Sequence, residues 1–371
     1  MSKYKAKQVL VIGAARQGLA TSRYLDKHGA KVILTDARSD AELTEIKESF
    51  SGTNVRTHFG GHPLELLDNT DMVCVSGGVP LTIPIIKEAK QRQIKLSNDS
   101  QIFVETCPCP IIGITGSAGK TTTTTLLGKM AENFFAMKSN KNRAWTGGNI
   151  GNPLISNVDE MHEDDLAIME LSSFQLELMT RSPHIAAVLN ITPNHLDRHG
   201  TLGAYTAAKT RILRFQGQAD LGILNREDKG SWNLREELHG DLISFGYSQP
   251  GRNENGTYID KGWIMLQIAK ERLKLLPLEW IPLRGDHNRL NVLAACAIAA
   301  GASIALPAIQ TAIENFEGIP HRMQLVASKN GVDWYDDSIA TTPERALAAL
   351  KSFEEPIVLL LGGRDKNLPW E

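Results

Sequence analysis

The segment IIGITGSAGKTTTTT, Ile111–Thr125, restricts the folds open to this chain more than any other stretch. Its apolar start predicts a buried parallel strand, its glycines predict a loop, and the residues from Lys120 onward predict a helix. Loop N–H groups and a helix N-terminus bind phosphate, the lysine adds positive charge, and a threonine hydroxyl can ligate Mg²⁺. Five residues separate Gly113 from Gly119, where the general phosphate-loop pattern has four. The segment predicts a nucleotide-phosphate site, against the alternative of a glycine turn with a solvated lysine.

The composition limits the classes of protein to which the chain can belong. It has 371 residues, enough for two or three domains, and 42% of them are apolar. The net charge of −2 gives no basic surface for nucleic acid or acidic membranes. We see neither a secretory leader nor an apolar run of about 20 residues that could span a bilayer. The four cysteines lack zinc-ligand spacing and are expected to be reduced. We therefore expect a cytoplasmic protein without nucleic-acid or membrane partners.

A Rossmann-like domain is predicted before the phosphate loop. The apolar strand Val9–Ile12 leads into a glycine turn, Gly13–Gly18, and a second strand ends at Asp36. This is close to a dinucleotide-binding fingerprint, but Ala15 replaces the glycine that lets the backbone approach a pyrophosphate. An NAD-dependent dehydrogenase is therefore an alternative that Ala15 disfavours, and a structural domain without a ligand is another. A third strand ends in Ser76, so we expect the turn, the acid and the serine at one edge of the sheet.

Several polar residues follow the predicted strands of the central region. Glu170 ends an apolar strand, and Asn149 lies in a glycine-dense turn. A carboxylate at a strand end in a domain with a phosphate loop suits a nucleotide-bound Mg²⁺, although a helix start is the commoner role of such a residue. His195 stands two residues before an aspartate, a pair that is either a hydrogen-bonded loop or a set of ligands. Lys209 lies on an amphipathic helix, 202–215, where by itself it would be solvated.

Beyond the central strands, residues 241–283 alternate in the manner of antiparallel strands. Asn288 and Asn291 then stand three residues apart at the start of an alanine-rich helix. Side chains at that spacing face the same way, so the two amides can serve either a nucleobase edge or a helix cap.

The last part of the chain predicts a hairpin at Asn330-Gly331 and a strand at 357–361. From residue 318 onward this leaves about two parallel strands and one helix, too few for an independent core. We therefore expect the sequence to be part of a longer protein.

Nine motifs in order resemble those of the Mur ligases, the family that builds the cytoplasmic peptidoglycan precursor. They are GITGSAGKTT, GGNIG, ELSSFQL, the loop 190–197, YTAAK, GDHNRLN, PHR, DDSIAT and GGRDK. The resemblance covers nearly the whole chain and is strongest to the member that adds D-glutamate. It implies an α/β fold of three domains. These are a Rossmann-like UDP-binding domain at 1–106, a central ATP-binding domain with a parallel sheet and a small antiparallel sheet at 107–317, and the start of a Rossmann-like C-terminal domain at 318–371.

The resemblance also implies roles for individual residues. ATP phosphates would contact Gly116, Ser117, Ala118, Gly119, Lys120, Thr121 and Thr122. Asn288 and Asn291 would contact adenine, Asp337 the ribose and Arg322 a phosphate. One Mg²⁺ would be held by Thr121 and Glu170, and a second by His195 and a carbamylated Lys209. The UDP-sugar would contact Gly18, Asp36, Arg38, Ser76 and Asn149, and D-glutamate would contact Thr341 and Lys366.

The implied activity is the ATP-dependent addition of D-glutamate to UDP-N-acetylmuramoyl-L-alanine. The substrate carboxylate would attack the γ-phosphorus of ATP, and the amine of D-glutamate would then displace phosphate from the acyl phosphate. Lys120, His195 and Lys209 would be the catalytic residues. The two Mg²⁺ ions and the lysines would offset the charge where three anions must converge. A monomer that acts on small molecules is implied.

Three departures from the family pattern leave alternatives open. Ile339 stands where the family has lysine, and Thr342 stands where it has asparagine. The family's Ser-Pro-Gly is Ser76-Gly-Gly here. The family's third domain is also expected to continue beyond Glu371. There are two alternative interpretations. The chain could be another amino-acid-adding Mur ligase, or it could be a nucleotide-binding remnant without turnover.

Overall fold

The structure is a computed structural model that describes residues 2–138, 141–340 and 343–363. Within these ranges the chain divides into two compact units. The first comprises Met1–Ser117, Asn142–Gly222 and Asp228–Asp241, and the second comprises Ala118–Lys141, Ile223–Glu227 and Leu242–Glu371. The predicted phosphate loop therefore begins in the first unit and continues in the second. The predicted domain boundaries near residues 106 and 317 stay predictions.

The first unit begins with an open parallel sheet. Its elements are β1 (Gln8–Ile12), α1 (Arg16–Lys27), β2 (Lys31–Asp36), α2 (Thr44–Glu48), β3 (Arg56–Phe59), β4 (Met72–Val75), α3 (Pro84–Gln91), β5 (Lys95–Ser97) and α4 (Asp99–Thr106). The strand order is β3-β2-β1-β4-β5, and every neighbouring pair is parallel. β1 is central because Val9–Ile12 is apolar throughout and buried, as a strand covered on both faces must be. The Rossmann-like prediction is confirmed.

The chain continues through the phosphate-loop segment. The elements are β6 (Ile111–Thr115), α5 (Lys120–Met137), β7 (Ala144–Gly148), β8 (Leu166–Glu170), α6 (Ser173–Leu176), β9 (Ile185–Val188), α7 (Leu196–His199), α8 (Leu202–Arg214), β10 (Leu221–Asn225) and α9 (Lys229–Trp232). In the first unit, four of these strands lie parallel in the order β9-β6-β8-β7. β6 therefore has a strand on each side, which explains why its isoleucines are all buried.

Gly113 explains the unusual spacing of the phosphate loop. It lies within β6, and a Cβ atom added to it would overlap the ring of Pro183 and lie 3.3 Å from Ile212 Cδ1. The glycine is needed because the segment before β9 and the helix α8 pack directly on the strand. It belongs to the strand and not to the phosphate loop, so its distance from Gly119 does not bear on phosphate binding.

The rest of the described chain forms nine further α-helices and β-strands. They are β11 (Asp241–Phe245), β12 (Asn255–Asp260), β13 (Trp263–Ile268), β14 (Glu271–Pro277), α10 (Asp286–Gly301), α11 (Leu306–Glu314), β15 (Gln324–Lys329), β16 (Val332–Asp336) and α12 (Pro343–Leu350). In the second unit, α5 packs against α10 and α11. β15 and β16 form the predicted hairpin, with φ of +55° at Asn330 and +77° at Gly331. Across the described part of the chain, no helix has both the length and the apolarity to cross a bilayer.

Two predictions about strands are wrong in part. β12, β13 and β14 are antiparallel as expected, but β11 runs parallel to β12, with Ile243 opposite Asn255. Alternation of apolar and polar residues has the same period in both kinds of sheet, so it does not report strand direction.

The segment 357–361 forms no strand: its side chains are exposed, and it pairs with no other strand in the described ranges. An apolar run becomes a strand only where a neighbour pairs with its backbone.

Candidate active site

The phosphate loop begins in the first unit at the carboxyl end of β6. The Ser117 N–H donates to the Asn190 carbonyl at 3.0 Å, and the Ser117 hydroxyl donates to the Thr192 carbonyl at 2.9 Å. The same hydroxyl lies 3.0 Å from the hydroxyl of Tyr205 on α8. Ser117 is therefore tied to the loop after β9 and to α8, and these contacts fix the path of the chain as it leaves Gly116.

In the second unit, the loop leads directly into α5. Gly119 is the residue before the helix and has φ of +82°, a left-handed conformation that L side chains avoid. Lys120 is the first residue of the helix, and Thr121 and Thr122 complete its first turn. The N–H groups of this end, its partial positive charge and the lysine together make the arrangement that binds phosphate.

Lys209 is a buried lysine that contacts the start of the phosphate loop. Its side chain is 1% exposed, and its ammonium donates to the Gly116 carbonyl at 2.9 Å and to the Thr115 hydroxyl at 3.2 Å. The ammonium also lies 4.8 Å from the centre of the Tyr205 ring. The expectation that Lys209 by itself would be solvated is wrong, because α8 packs its lysine face onto the end of β6.

Glu170 ends β8 next to the strand that carries the phosphate loop. It pairs with Ile114 of β6 on one side and with Gly148 of β7 on the other. Its side chain is buried, and one carboxylate oxygen accepts a 2.9 Å hydrogen bond from the Asn149 amide. The Asn149 N–H donates to the Glu170 carbonyl at 2.9 Å as well. Gly148 has φ of +104°, and a Cβ atom there would lie 2.5 Å from the Glu170 carbonyl oxygen, so only glycine fits between them.

An aromatic cluster holds the loop that contains His195. Phe174 stacks on His199, with ring centres 5.2 Å apart, and meets the ring of His195 edge-on at 5.2 Å. His199 is fixed by Ser173 at 2.9 Å and by Glu177 at 3.2 Å. Burial, and then the positive charge of Lys209, lower the pKa of His199, so its imidazole is neutral near pH 7. His195 has φ of +52°, which directs the chain from the end of β9 into α7.

The residues predicted to bind UDP meet at the carboxyl edge of the first sheet. Asp36 accepts hydrogen bonds from the Ala14 N–H at 2.7 Å and from the Arg38 guanidinium at 3.0 Å. Burial would raise the pKa of Asp36, but the hydrogen bonds from Arg38 and from the backbone lower it to about 2. Ser76 donates its hydroxyl to the Gly13 carbonyl at 3.0 Å, and a Cβ at Gly18 would overlap that carbonyl. The predicted convergence of the turn, the acid and the serine is confirmed. Gly18 has no side chain, and this allows α1 to pack closely on the turn after β1.

A cavity of about 320 Å³ opens in the first unit beside this edge. It is lined by Ala15, Arg16 and Gln17 at the N-terminus of α1, by Gly77 and Gly78 after β4, and by Asn149, Phe174 and Arg198. A helix N-terminus with an arginine suits an anionic group, and the Phe174 ring offers an apolar wall. The cavity therefore suits a ligand that carries both phosphate and apolar or ring groups.

Two arginines line this cavity: Arg16 lies within the predicted turn Gly13–Gly18, whereas Arg198 was not predicted from the sequence. Arg16 donates to the Gly151 carbonyl at 2.9 Å, and Arg198 donates to the Gly78 carbonyl at 3.3 Å while lying 4.5 Å over the Phe174 ring. Each arginine therefore connects the first parallel sheet to the segments that follow β7 and β9. Both arginines lie in or beside motifs that the sequence singles out, and this position is a signal that they belong to the site. Their contacts could not be predicted, because they depend on how segments far apart in the sequence pack together.

The predicted nucleoside residues lie in the second unit. At the start of α10, the Asn291 amide donates to Asn288 at 3.1 Å, and the Asn288 amide donates to the Arg284 carbonyl at 2.7 Å. Asp337 accepts from the Met323 N–H at 3.1 Å. Burial raises the pKa of Asp337, and the charge of Arg322 partly offsets that effect. The two asparagines are thus in contact with each other. Arg322 is near enough to Asp337 for its charge to act on that carboxylate.

The remaining predictions concern D-glutamate and metal. Thr341 and Lys366 lie outside the described residues. In the described ranges, no group of three or more His, Cys, Asp or Glu side chains could hold a metal ion. The predicted Mg²⁺ ligands instead combine one carboxylate, one histidine, a threonine and a modified lysine.

Family models match two parts of the chain. The Mur ligase middle domain matches residues 114–299, and the MurD-like N-terminal domain of Mur ligases matches residues 7–98. The sequence is similar to proteins named UDP-N-acetylmuramoylalanine--D-glutamate ligase. The one from Koribacter versatilis is 35% identical and the one from Pelotomaculum thermopropionicum 38% identical, and in each case the match covers 99% of this chain and 79% of the relative.

Solved structures share the fold at low sequence identity. The murein peptide ligase from Psychrobacter arcticus is 16% identical, with a TM-score of 0.57 over 93% of this chain and 75% of that one. The UDP-N-acetylmuramate-alanine ligase from Thermotoga maritima is 20% identical, with a TM-score of 0.52 over 93% of this chain and 77% of that one. These likenesses confirm the predicted α/β architecture.

Proposed function

The chain belongs to the Mur ligase family, and on that premise we propose that it adds D-glutamate to UDP-N-acetylmuramoyl-L-alanine with the use of ATP. Its full-length similarity to ligases of that name supports this substrate pair. The product is an amide of a peptidoglycan precursor. Both substrates and ATP are anions, which fits a site built from a phosphate loop, a helix N-terminus and the buried Lys209.

The observation that carries the proposal is the hydrogen bond between Asn149 and Glu170. Asn149 lines the cavity beside the UDP-binding edge, whereas Glu170 ends a strand next to the phosphate-loop strand. Their 2.9 Å contact joins the cavity to the place where a nucleotide phosphate is expected. A substrate whose UDP end lies near Asp36 and Arg38 would therefore present its far end, the alanyl carboxylate, toward Glu170.

The reaction we propose has two steps. The alanyl carboxylate attacks the γ-phosphorus of ATP, which gives an acyl phosphate and ADP, and the amine of D-glutamate then displaces phosphate from the acyl carbon. Lys120 and the first-turn N–H groups of α5 would offset the charge that develops on the phosphates. His195 would orient the incoming groups, because its conformation is set by α7 and by Phe174.

The residues of the first unit fit a Mg²⁺ ion at Glu170. The carboxylate is buried and held by Asn149, and hard oxygen donors are the ligands that Mg²⁺ takes. When bound, the ion would neutralise phosphate charge and polarise the γ-phosphoryl group. The participation of Thr121 in this site stays a prediction, as does a second ion at His195 and a carbamylated Lys209.

The proposal is tested by measuring ADP release and amide formation. We expect ADP release to require UDP-N-acetylmuramoyl-L-alanine, and amide product to require D-glutamate. Lys120→Ala should lose phosphoryl transfer, whereas Lys129→Ala, an exposed lysine on the same helix, should leave the rate unchanged. Amide formation with L-lysine but not D-glutamate would move the chain to another member of the family. Normal turnover in Lys120→Ala would refute the phosphate-loop mechanism.

Ile339 supports a second candidate, a nucleotide-binding protein without turnover. This residue stands where the family resemblance implies lysine, is 40% exposed, and donates its N–H to the His321 carbonyl. An isoleucine cannot supply the charge that a substrate carboxylate requires. Calorimetry that detects binding of ATP and the UDP-sugar, in a preparation that releases no ADP, would favour this candidate.

The working environment and the assembly state are also proposals. We propose a cytoplasmic location, because the implied substrates are ATP and a UDP-linked sugar, and a monomer, as the family resemblance implies. Light scattering during gel filtration would test the assembly state, and a dimer that persists on dilution would contradict it.

A further inference from the structure

Three sulfur atoms lie together at the junction between α4 and β6. The Cys107 Sγ is 3.4 Å from the Cys109 Sγ and 3.8 Å from the Met161 Sδ. We call Cys107, Cys109 and Met161 the sulfur cluster. Its members come from the linker after α4 and from the segment that precedes β8, and all belong to the first unit. Neither the proposed ligation reaction nor the cavity described above uses them.

The distances within the sulfur cluster fit a shared metal ion better than a covalent bond. A disulfide requires sulfur atoms about 2.05 Å apart, and both cysteines are free thiols in this structure. A metal–thiolate bond of about 2.3 Å places two sulfurs of a trigonal or tetrahedral centre about 3.8 to 4.0 Å apart. The observed separations therefore need only small adjustments for an ion to enter between the sulfurs.

The chemistry of the donors selects the kind of ion. Thiolate and thioether sulfurs are soft ligands and prefer Cu(I) over the harder cations that bind carboxylates and water. Zinc sites are commonly completed by cysteine, histidine or carboxylate, whereas a thioether is a ligand typical of copper. Two cysteines with one methionine thus favour a soft monovalent ion.

The surroundings fix the positions of the sulfur atoms. Cys107 directly follows α4 and donates its N–H to the Phe103 carbonyl at 2.8 Å, which holds it at the C-terminal end of the helix. Pro108 restricts the backbone between the two cysteines. Cys109 and Met161 are 3% and 5% exposed, whereas Cys107 is partly exposed and offers a route of entry.

We propose that the sulfur cluster is a binding site for one soft monovalent metal ion, with Cu(I) as the expected ligand. Binding replaces the thiol protons: Cu(I) joins two thiolates and the neutral thioether, and up to two protons leave to solvent. The bound group carries a net charge of −1, and no electron is transferred. The site lies in the linker before the phosphate-loop strand, so occupancy would stiffen that linker.

The proposal is tested by anaerobic competition between the full chain and the chromogenic Cu(I) chelator bicinchoninate. The protein is first reduced, and a thiol assay confirms that all four cysteines are free. We expect one equivalent of Cu(I) to move from the chelator to the protein. The double variant Cys107→Ser with Cys109→Ser should lose that equivalent, and Met161→Leu, which keeps the side-chain volume, should bind more weakly.

Cys296→Ala provides the matched control, because Cys296 is a buried thiol in the alanine-rich helix α10 and is remote in sequence from the cluster. It should bind Cu(I) as the unmodified chain does. Circular dichroism verifies that each variant is folded. Failure of the unmodified chain to take up Cu(I), or equal uptake by the double cysteine variant, would overturn the proposal. Unchanged affinity in Met161→Leu would remove the thioether from the site.

Discussion

The ammonium of Lys209 donates a 2.9 Å hydrogen bond to the carbonyl of Gly116, where β6 gives way to the phosphate loop. Lys209 therefore contacts the start of the loop directly. It can act there as a cation that holds the loop backbone or, after carbamylation, as an anion that holds Mg²⁺. The two roles require opposite charges at the same side chain, so they can be separated by experiment.

Lys209→Ala should lower the rate of ADP release by about a hundredfold or more, the usual effect of removing a preorganised charged group. We expect short carboxylic acids to restore part of the activity, because they replace the anion of a carbamate. Rescue by methylammonium instead would show that the unmodified ammonium is the active form. Arg214→Ala removes an exposed cation from the same helix and should have no effect.

Asp36→Asn should destabilise the protein in a way that depends on pH. The pKa of Asp36 falls from its ordinary 3.8 to about 2 in the folded protein, so its contribution of about 2 kcal/mol is present above pH 4 and is lost as the pH falls toward 2. The difference in unfolding free energy between the unmodified chain and the variant should be constant from about pH 7 to 5 and shrink below about pH 4. Urea titrations at several pH values measure it.

Asp40→Asn is the control for that experiment, since the Asp40 carboxylate is exposed and forms a surface ion pair with Lys47. Its effect on the urea midpoint should be small at every pH. A loss of stability in Asp36→Asn that does not change between pH 7 and 3 would contradict the assignment to the ionised carboxylate.

Gly148→Ala should destabilise the first unit by about 2 kcal/mol or more, because the new Cβ would meet the Glu170 backbone in a left-handed conformation. The displaced Glu170 should also raise the Mg²⁺ concentration needed for half-maximal activity. Gly151→Ala is the comparison: its φ is also positive, at +58°, but no atom of the described residues lies within 4 Å of the added atom. A loss of about 1 kcal/mol is expected there. Equal losses in the two variants would argue against the Glu170 contact.

Arg198→Ala should raise the KM for the UDP-sugar by about tenfold while changing the KM for ATP little, because Arg198 lines the cavity and stacks on Phe174. Arg198→Lys keeps the charge but loses the planar stack, so it should rescue only part of the effect. Arg181→Ala removes an exposed arginine of the same unit and should be neutral. An equal rise in both KM values would indicate a structural role.

Local sequence rules predicted the parts of the site that depend on strand order and turn chemistry. The convergence of Asp36, Ser76 and Gly13 follows from parallel strands that end at one edge, and it holds in detail. The rules could not predict contacts such as Arg198 with Gly78, because these arise where segments distant in sequence pack together. They also misjudged Lys209, whose burial depends on which face α8 presents to β6, and the direction of β11 relative to β12.

The two arginine contacts that close the cavity have a consequence for the order of folding. Arg16 and Gly151 are 135 residues apart in the chain, and Arg198 and Gly78 are 120 apart. Loop closure over such distances is slow, so local helices and adjacent parallel strands form before these contacts do. During refolding, far-ultraviolet ellipticity should return ahead of affinity for the UDP-sugar. Newly made chains would therefore pass through a state with native secondary structure that does not yet compete for substrate.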